Sequence, residues 1–121
     1  MQYTLSDKLQ DNPVIAAVKE PKSLEAALQS PCEVLFLLFG SLFNLSDIVA
    51  QAKERQKCIY LHVDLLEGFA RDEAALRYIG EKIKPDGIIT TRSNLVKLAH
   101  DINLPVVQRF FIVDSLSVHS A

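Results

Sequence analysis

The densest group of chemically capable side chains is the run His62-Val63-Asp64-Leu65-Leu66-Glu67-Gly68. On a strand, residues two apart share a face, so His62 and Asp64 are expected side by side. An imidazole beside a carboxylate can ligate a metal or pair for acid–base work. It can equally contact a ligand, or hydrogen-bond within the protein. No second histidine lies at matching spacing: His100 falls in a periodic, helix-like stretch and His119 near the end of the chain. The residues therefore define no metal site.

Arg109 stands inside Val106-Val107-Gln108-Arg109-Phe110-Phe111-Ile112-Val113, where a guanidinium is expected to be buried or half-buried. A buried arginine is costly unless paired. The expected partner is a carboxylate such as Asp64 or Glu67, or a phosphorylated ligand, unless the side chain turns to solvent. Lys19 closes the first apolar run, and Thr90-Thr91-Arg92-Ser93 closes the fourth. Hydroxyls and N–H groups at a helix start can hold an anion, although Ser93 also suits a plain helix cap. Lys53, Arg55 and Lys57 cluster at the end of the second periodic stretch. They form a basic patch, or they complement the helix dipole. Neither a GxGxxG nor a P-loop phosphate motif occurs, and no GxSxG or Cys/His nucleophile pair is visible.

These residues sit where two textures meet. Apolar runs at 14–18, 34–39, 59–63, 87–89 and 106–113 are continuous rather than alternating, so both faces are expected to be buried, as in a parallel sheet. Each of the first four is followed by helical periodicity. Leu24, Ala27 and Leu28 share one face, as do Leu45, Ile48, Val49 and Ala52. Leu76, Ile79 and Ile83 follow, then Leu95, Leu98, Ala99 and Ile102. Asn44, Asp72 and Ser93 are placed to cap helices, and Pro21 suits a first turn. The order is βαβαβαβαβ, an α/β chain. Two architectures fit it, an open doubly wound sheet and part of a (β/α)8 barrel. Length favours the first. The second is favoured by 114–121, which read as a helix just beginning. In both, sites gather at the C-terminal ends of strands, which is where Lys19, His62, Asp64, Glu67, Thr90, Thr91 and Arg109 fall.

The 121 residues make one domain, 1–121, and 49% hydrophobic residues argue against disorder. Thirteen basic against fifteen acidic residues give a net charge of -2, which argues against binding nucleic acid by bulk positive charge. Cys32 and Cys58 make neither a disulfide framework nor a CxxC pair and read as core thiols of a reducing compartment. The start of the chain is polar, and the longest apolar run, 34–39, is far short of the roughly 20 residues of a membrane span. A cytoplasmic protein with no membrane partner is expected. A phosphoacceptor receiver domain is excluded, because no acidic pair ends the first strand and no lysine follows the fifth.

Five stretches, taken in order, closely resemble the glycerol-3-phosphate-responsive antiterminators of glycerol uptake operons. They are Asn12-Pro-Val-Ile-Ala-Ala-Val18, Val34-Leu-Phe-Leu-Leu-Phe-Gly40, His62-Val-Asp-Leu-Leu-Glu-Gly68 with Arg71-Asp-Glu-Ala74, Asp86-Gly-Ile-Ile-Thr-Thr91 and Gln108-Arg109-Phe-Phe-Ile-Val-Asp-Ser115. The resemblance implies a partial (β/α)8 TIM-type barrel with five parallel strands alternating with helices. It also implies a regulator, not an enzyme, that senses glycerol 3-phosphate without a cofactor and binds the leader mRNA of glycerol-utilisation genes. Family members continue through three further βα units, so the chain is expected to hold the N-terminal five, with the C-terminal units absent. The open edges, strands 1 and 5, are then expected to promote homo-oligomerisation. Two other readings compete. His62-Val-Asp64 is similar to the strand end of ribulose-phosphate epimerases, where a His and an Asp bind metal. An inactive barrel fragment is the third reading.

Overall fold

The computed structural model describes residue 5 and residues 14–110. The apolar runs become five strands: β1 (Ile15–Val18), β2 (Val34–Leu37), β3 (Cys58–His62), β4 (Gly87–Thr90) and β5 (Val106–Gln108). The periodic stretches become helices α1 (Leu24–Gln29), α2 (Leu45–Glu54), α3 (Glu73–Tyr78) and α4 (Ser93–Asp101). A 3-10 turn at Pro21–Ser23 leads into α1, with Pro21 at its start, and a π turn at Ile79–Ile83 prolongs α3. Strand β5 is shorter than its apolar run. Its last register partner is Thr90, opposite Gln108, and β4 offers no residue beyond it. Residues 111–113 of that run lie outside the described residues.

All five strands are parallel and lie in the order β1-β2-β3-β4-β5. This order decides between the two architectures. A doubly wound sheet needs a reversal of strand order, whereas an unbroken sequence of right-handed crossovers puts every helix on one face. The packing agrees. Leu35, Leu37, Ile59, Leu61 and Ile88 form one cluster with Leu28, Ile48, Val49, Leu76, Ile79, Leu95 and Ala99 from the four helices and the π turn. The opposite face carries a smaller cluster, Val34, Cys58, Tyr60 and Ile89, against which Leu5, Ile15, Phe36 and Val107 pack. The sheet is therefore a barrel wall with helices outside and a concave inner face. Its five outer-face residues are each 0% exposed. At about 1.5–3 kcal/mol per fully buried aliphatic side chain, the helix–sheet layer dominates stability.

Gly87 shapes the inner face. A Cβ there would lie 2.4 Å from the Tyr60 ring and 2.7 Å from the Pro105 carbonyl oxygen. The strand accepts its neighbour's ring only because no side chain competes. Asp86, just before it, ties β4 to β3: its Oδ2 accepts from Ile59 N at 2.8 Å, and its own N–H donates to Ile59 O.

Of the three expected caps, Asp72 behaves as predicted, its carboxylate accepting from Ala75 N at 2.9 Å. Asn44 holds the cap position, but its Oδ1 accepts from Ser41 N instead, closing the β2–α2 loop on itself. Ser93 is the first helical residue rather than the cap, which is Arg92, and its Oγ accepts from Gln108 Nε2. No helix among the described residues is long and apolar enough to cross a membrane.

Candidate functional site

The strands' C-terminal ends open onto a cavity of about 630 Å³ on the concave face. Its wall is mostly apolar, with Phe36, Leu38, Ile89, Val107 and Phe110, and its polar groups are Lys19, His62, Gln108 and Arg109. Three of the residues expected from sequence to meet a ligand, Lys19, His62 and Arg109, are thus brought together. The other four are placed elsewhere.

His62 and Asp64 do not share a face. Strand β3 ends at His62 and the chain enters a 3-10 turn over Val63–Leu65, so the two-residue strand period no longer applies. His62 turns into the cavity, 2% exposed, and neither Nδ1 nor Nε2 has a hydrogen-bond partner among the described residues. Burial pushes its pKa down. Nearby Asp64 opposes this and Arg109 adds to it, and the net value lies below 6.5. At neutral pH the ring is therefore neutral, with one donor nitrogen and one acceptor.

Asp64 turns toward the β4–α4 connection. Its Oδ1 accepts from Thr90 Oγ1 at 2.8 Å, and its Oδ2 accepts from both the N–H and the hydroxyl of Thr91, each at 2.8 Å. Arg92 Nε stands 3.9 Å from Oδ1, and the Arg71 guanidinium donates to the Asp64 carbonyl. Partial burial raises the Asp64 pKa, but the hydrogen bonds from Thr91 and Thr90, with His62, more than offset it and leave it below 3.8. Thr90 and Thr91, expected to face an anion, already hold one in this carboxylate. Asp64 thus staples the end of β3 to the end of β4. Sequence reasoning did not identify Arg71 and Arg92 as its tethers, and no spacing rule would have done so.

The expected pairing of Arg109 with Asp64 or Glu67 is not formed. Its backbone N–H donates to Thr90 O at 2.8 Å, while its side chain is exposed at the cavity with no ion pair to a described residue. The partners lie elsewhere: Asp64 faces the threonines, and Glu67 is an exposed loop residue that acts through its backbone. Glu67 N donates to Gly40 O at 2.9 Å and its carbonyl accepts from Leu42 N at 3.0 Å, joining the loops after β2 and β3. Gly68 follows at φ +86, where a Cβ would also press on Leu42.

The basic cluster lies at the opposite end of the sheet, around the C-terminus of α2 and the start of β3. Arg55 pairs with Glu25 at 2.9 Å, and Lys57 Nζ donates to the carbonyls of Ser30 and Cys32 at 2.7 and 2.5 Å. Lys53 is exposed. Among the described residues, no group of three or more His, Cys, Asp or Glu could hold a metal ion. The metal set suggested by the epimerase-like His-x-Asp string is not assembled, since the histidine and the carboxylate face different ways.

Sequential parallel strands, helices on one face and a cavity at the strand C-terminal ends define a partial (β/α)8-type barrel with a cavity at the end where such barrels carry their sites. The chain belongs to the glycerol-3-phosphate responsive antiterminator family, whose sequence profile matches residues 14–121. It is similar to YgcP, an uncharacterised protein of Escherichia coli strain K12, with 39% identity over 112 residues, covering 93% of this chain and 59% of that one. Its fold is similar to the crystal structure of a glycerol uptake operon antiterminator regulatory protein from Listeria monocytogenes. That match has a TM-score of 0.79 at 30% identity and covers 90% of this chain and 60% of that one. A glycerol uptake operon antiterminator-related protein from Thermotoga maritima matches with a TM-score of 0.74 at 30% identity, over 88% of this chain and 59% of that one. The chain thus spans 59–60% of the length of these relatives. The family and fold expected from the sequence are those found.

Proposed function

We propose that this protein is a regulator rather than an enzyme: a cytoplasmic antiterminator that binds the leader mRNA of glycerol-utilisation genes in response to glycerol 3-phosphate. The effector enters the cavity at the strand ends and needs no cofactor. One observation carries this reading. Lys19 and Arg109, two exposed cations, stand at a mostly apolar cavity, and neither forms an ion pair with a described residue. A small polyol phosphate supplies the missing anion. The basic cluster of Lys53, Arg55 and Lys57, of which Lys53 and Arg55 are exposed, is assigned to the RNA surface.

The reading is tested by measuring binding of a labelled leader RNA with and without glycerol 3-phosphate, with glycerol and inorganic phosphate as controls. An affinity that changes with glycerol 3-phosphate alone is expected. RNA binding indifferent to all three, or no RNA binding, contradicts it.

A further inference from the structure

The effector reading places a polyol phosphate in the cavity but leaves its orientation open. His62 resolves the orientation. Its ring is 2% exposed, forms part of the cavity wall and has two ring nitrogens without a partner among the described residues. Polar atoms at such depth are rarely left unsatisfied in a folded protein. Apart from Lys19, Arg109 and Gln108, whose amide donates to Ser93 Oγ, the other described residues of the cavity wall carry no side-chain donor or acceptor.

The chemistry of a neutral imidazole selects the complement. It offers one N–H donor and one lone-pair acceptor, so a matching group must accept and donate together. A hydroxyl does both. A phosphate dianion only accepts, and would leave the acceptor nitrogen facing a lone pair. Arg109 and Lys19, by contrast, offer donors and positive charge only, which suits a phosphate and not a neutral hydroxyl end. Both are exposed, so a dianion held there keeps part of its hydration.

We propose that His62 is the hydroxyl-recognition residue of this cavity, seating the polyol end of the ligand at depth while Arg109 and Lys19 hold its phosphate at the mouth. This rests on the effector reading above and deepens it. The ligand class is then a phosphomonoester whose carbon chain carries at least one free hydroxyl beyond the ester oxygen. The preference for hydroxylated over plain alkyl phosphates comes from this one ring.

Binding of glycerol 3-phosphate and of n-propyl phosphate, which has the same three-carbon chain without hydroxyls, is measured by calorimetry for wild type, His62→Phe, His62→Gln and Arg109→Gln. The wild type is expected to prefer glycerol 3-phosphate by on the order of tenfold or more, the scale of a satisfied against an unsatisfied buried hydrogen bond. His62→Phe should erase that preference by weakening glycerol 3-phosphate alone. His62→Gln, which keeps a donor and an acceptor, should retain part of it. Arg109→Gln should weaken both ligands alike. His62→Phe removes an unpartnered polar group, so its melting temperature is expected not to fall, which separates loss of recognition from loss of fold. Equal weakening of both ligands by His62→Phe puts the phosphate on His62 and overturns the orientation. Unchanged preference in that variant removes His62 from the site while leaving the effector reading intact. No binding of either ligand by the wild type overturns both.

Discussion

Asp64 and His62 are two residues apart and do opposite things. The carboxylate is held by three hydrogen bonds from Thr90 and Thr91, and the imidazole by none from a described residue. Asp64 is therefore tied into the rim, whereas His62 is buried with its ring nitrogens unpartnered among the described residues. Replacing Asp64 by alanine leaves a buried threonine hydroxyl and the Thr91 N–H without their acceptor. A loss of about 2–4 kcal/mol is expected from the shift in urea midpoint. A change below about 0.5 kcal/mol would contradict the staple.

The two groups also set the acid response, and the signs are fixed by their shifts. The folded-state pKa of His62 is lowered, so below about 6.5 the unfolded chain binds the extra proton and stability falls as pH drops from there toward the folded value. The folded-state pKa of Asp64 is lowered from 3.8, so its stabilising contribution is present above that value and is lost as pH falls through the folded pKa. Stability is expected to decline over two pH ranges. His62→Phe should remove the decline that begins near pH 6.5 and leave the lower one. Identical pH profiles for wild type and variant would contradict this. Asp64 and Arg109 are the charged neighbours that modulate the ring, one in each direction.

At the scale of elements, the strands and helices were legible because continuous apolar runs and helical periodicity are properties of the chain itself. Their ends were less so. Asp72 could be read as a cap because it needs only its own helix. Asn44 and Ser93 could not, because Ser41 in one case and Gln108 in the other capture the side chain. The expected His62–Asp64 pairing failed for the same reason: it assumed that the strand ran on to Asp64, and only the 3-10 turn shows that it does not. Two substitutions test the elements. Gly87→Ala places a methyl group against the Tyr60 ring and the Pro105 carbonyl and should cost about 1–3 kcal/mol by overpacking. Asp72→Ala removes the α3 cap and should cost about 0.5–2 kcal/mol. Denaturant titration reads both, and a neutral Gly87→Ala would mean that the ring has room to move.

For the whole molecule, composition and spacing left the open sheet and the barrel both standing. The family resemblance favoured the barrel, and the strictly sequential strand order established it. The cavity was only partly legible. Its charged members, Lys19 and Arg109, stood out as residue types, but its apolar wall follows from counting inward positions along β2, β4 and β5, which needs the register. That register leaves β1 and β5 as the edges of the five-stranded sheet. Parallel edges with no partner among the described residues invite association. The 121-residue polypeptide is expected to self-associate, and a monodisperse monomer by sizing with light scattering would contradict this.

The central claim is that a polyol phosphate binds at the strand ends through Lys19 and Arg109. The most direct test is the melting temperature of wild type and of the Lys19→Gln, Arg109→Gln double variant, each titrated with glycerol 3-phosphate. At about a hundredfold excess over Kd the wild type should gain roughly 2.7 kcal/mol, a rise on the order of 10 °C that inorganic phosphate and glycerol do not reproduce. The double variant should melt near the unliganded wild type and show no rise. An equal rise in both proteins, or none in the wild type, would contradict the claim.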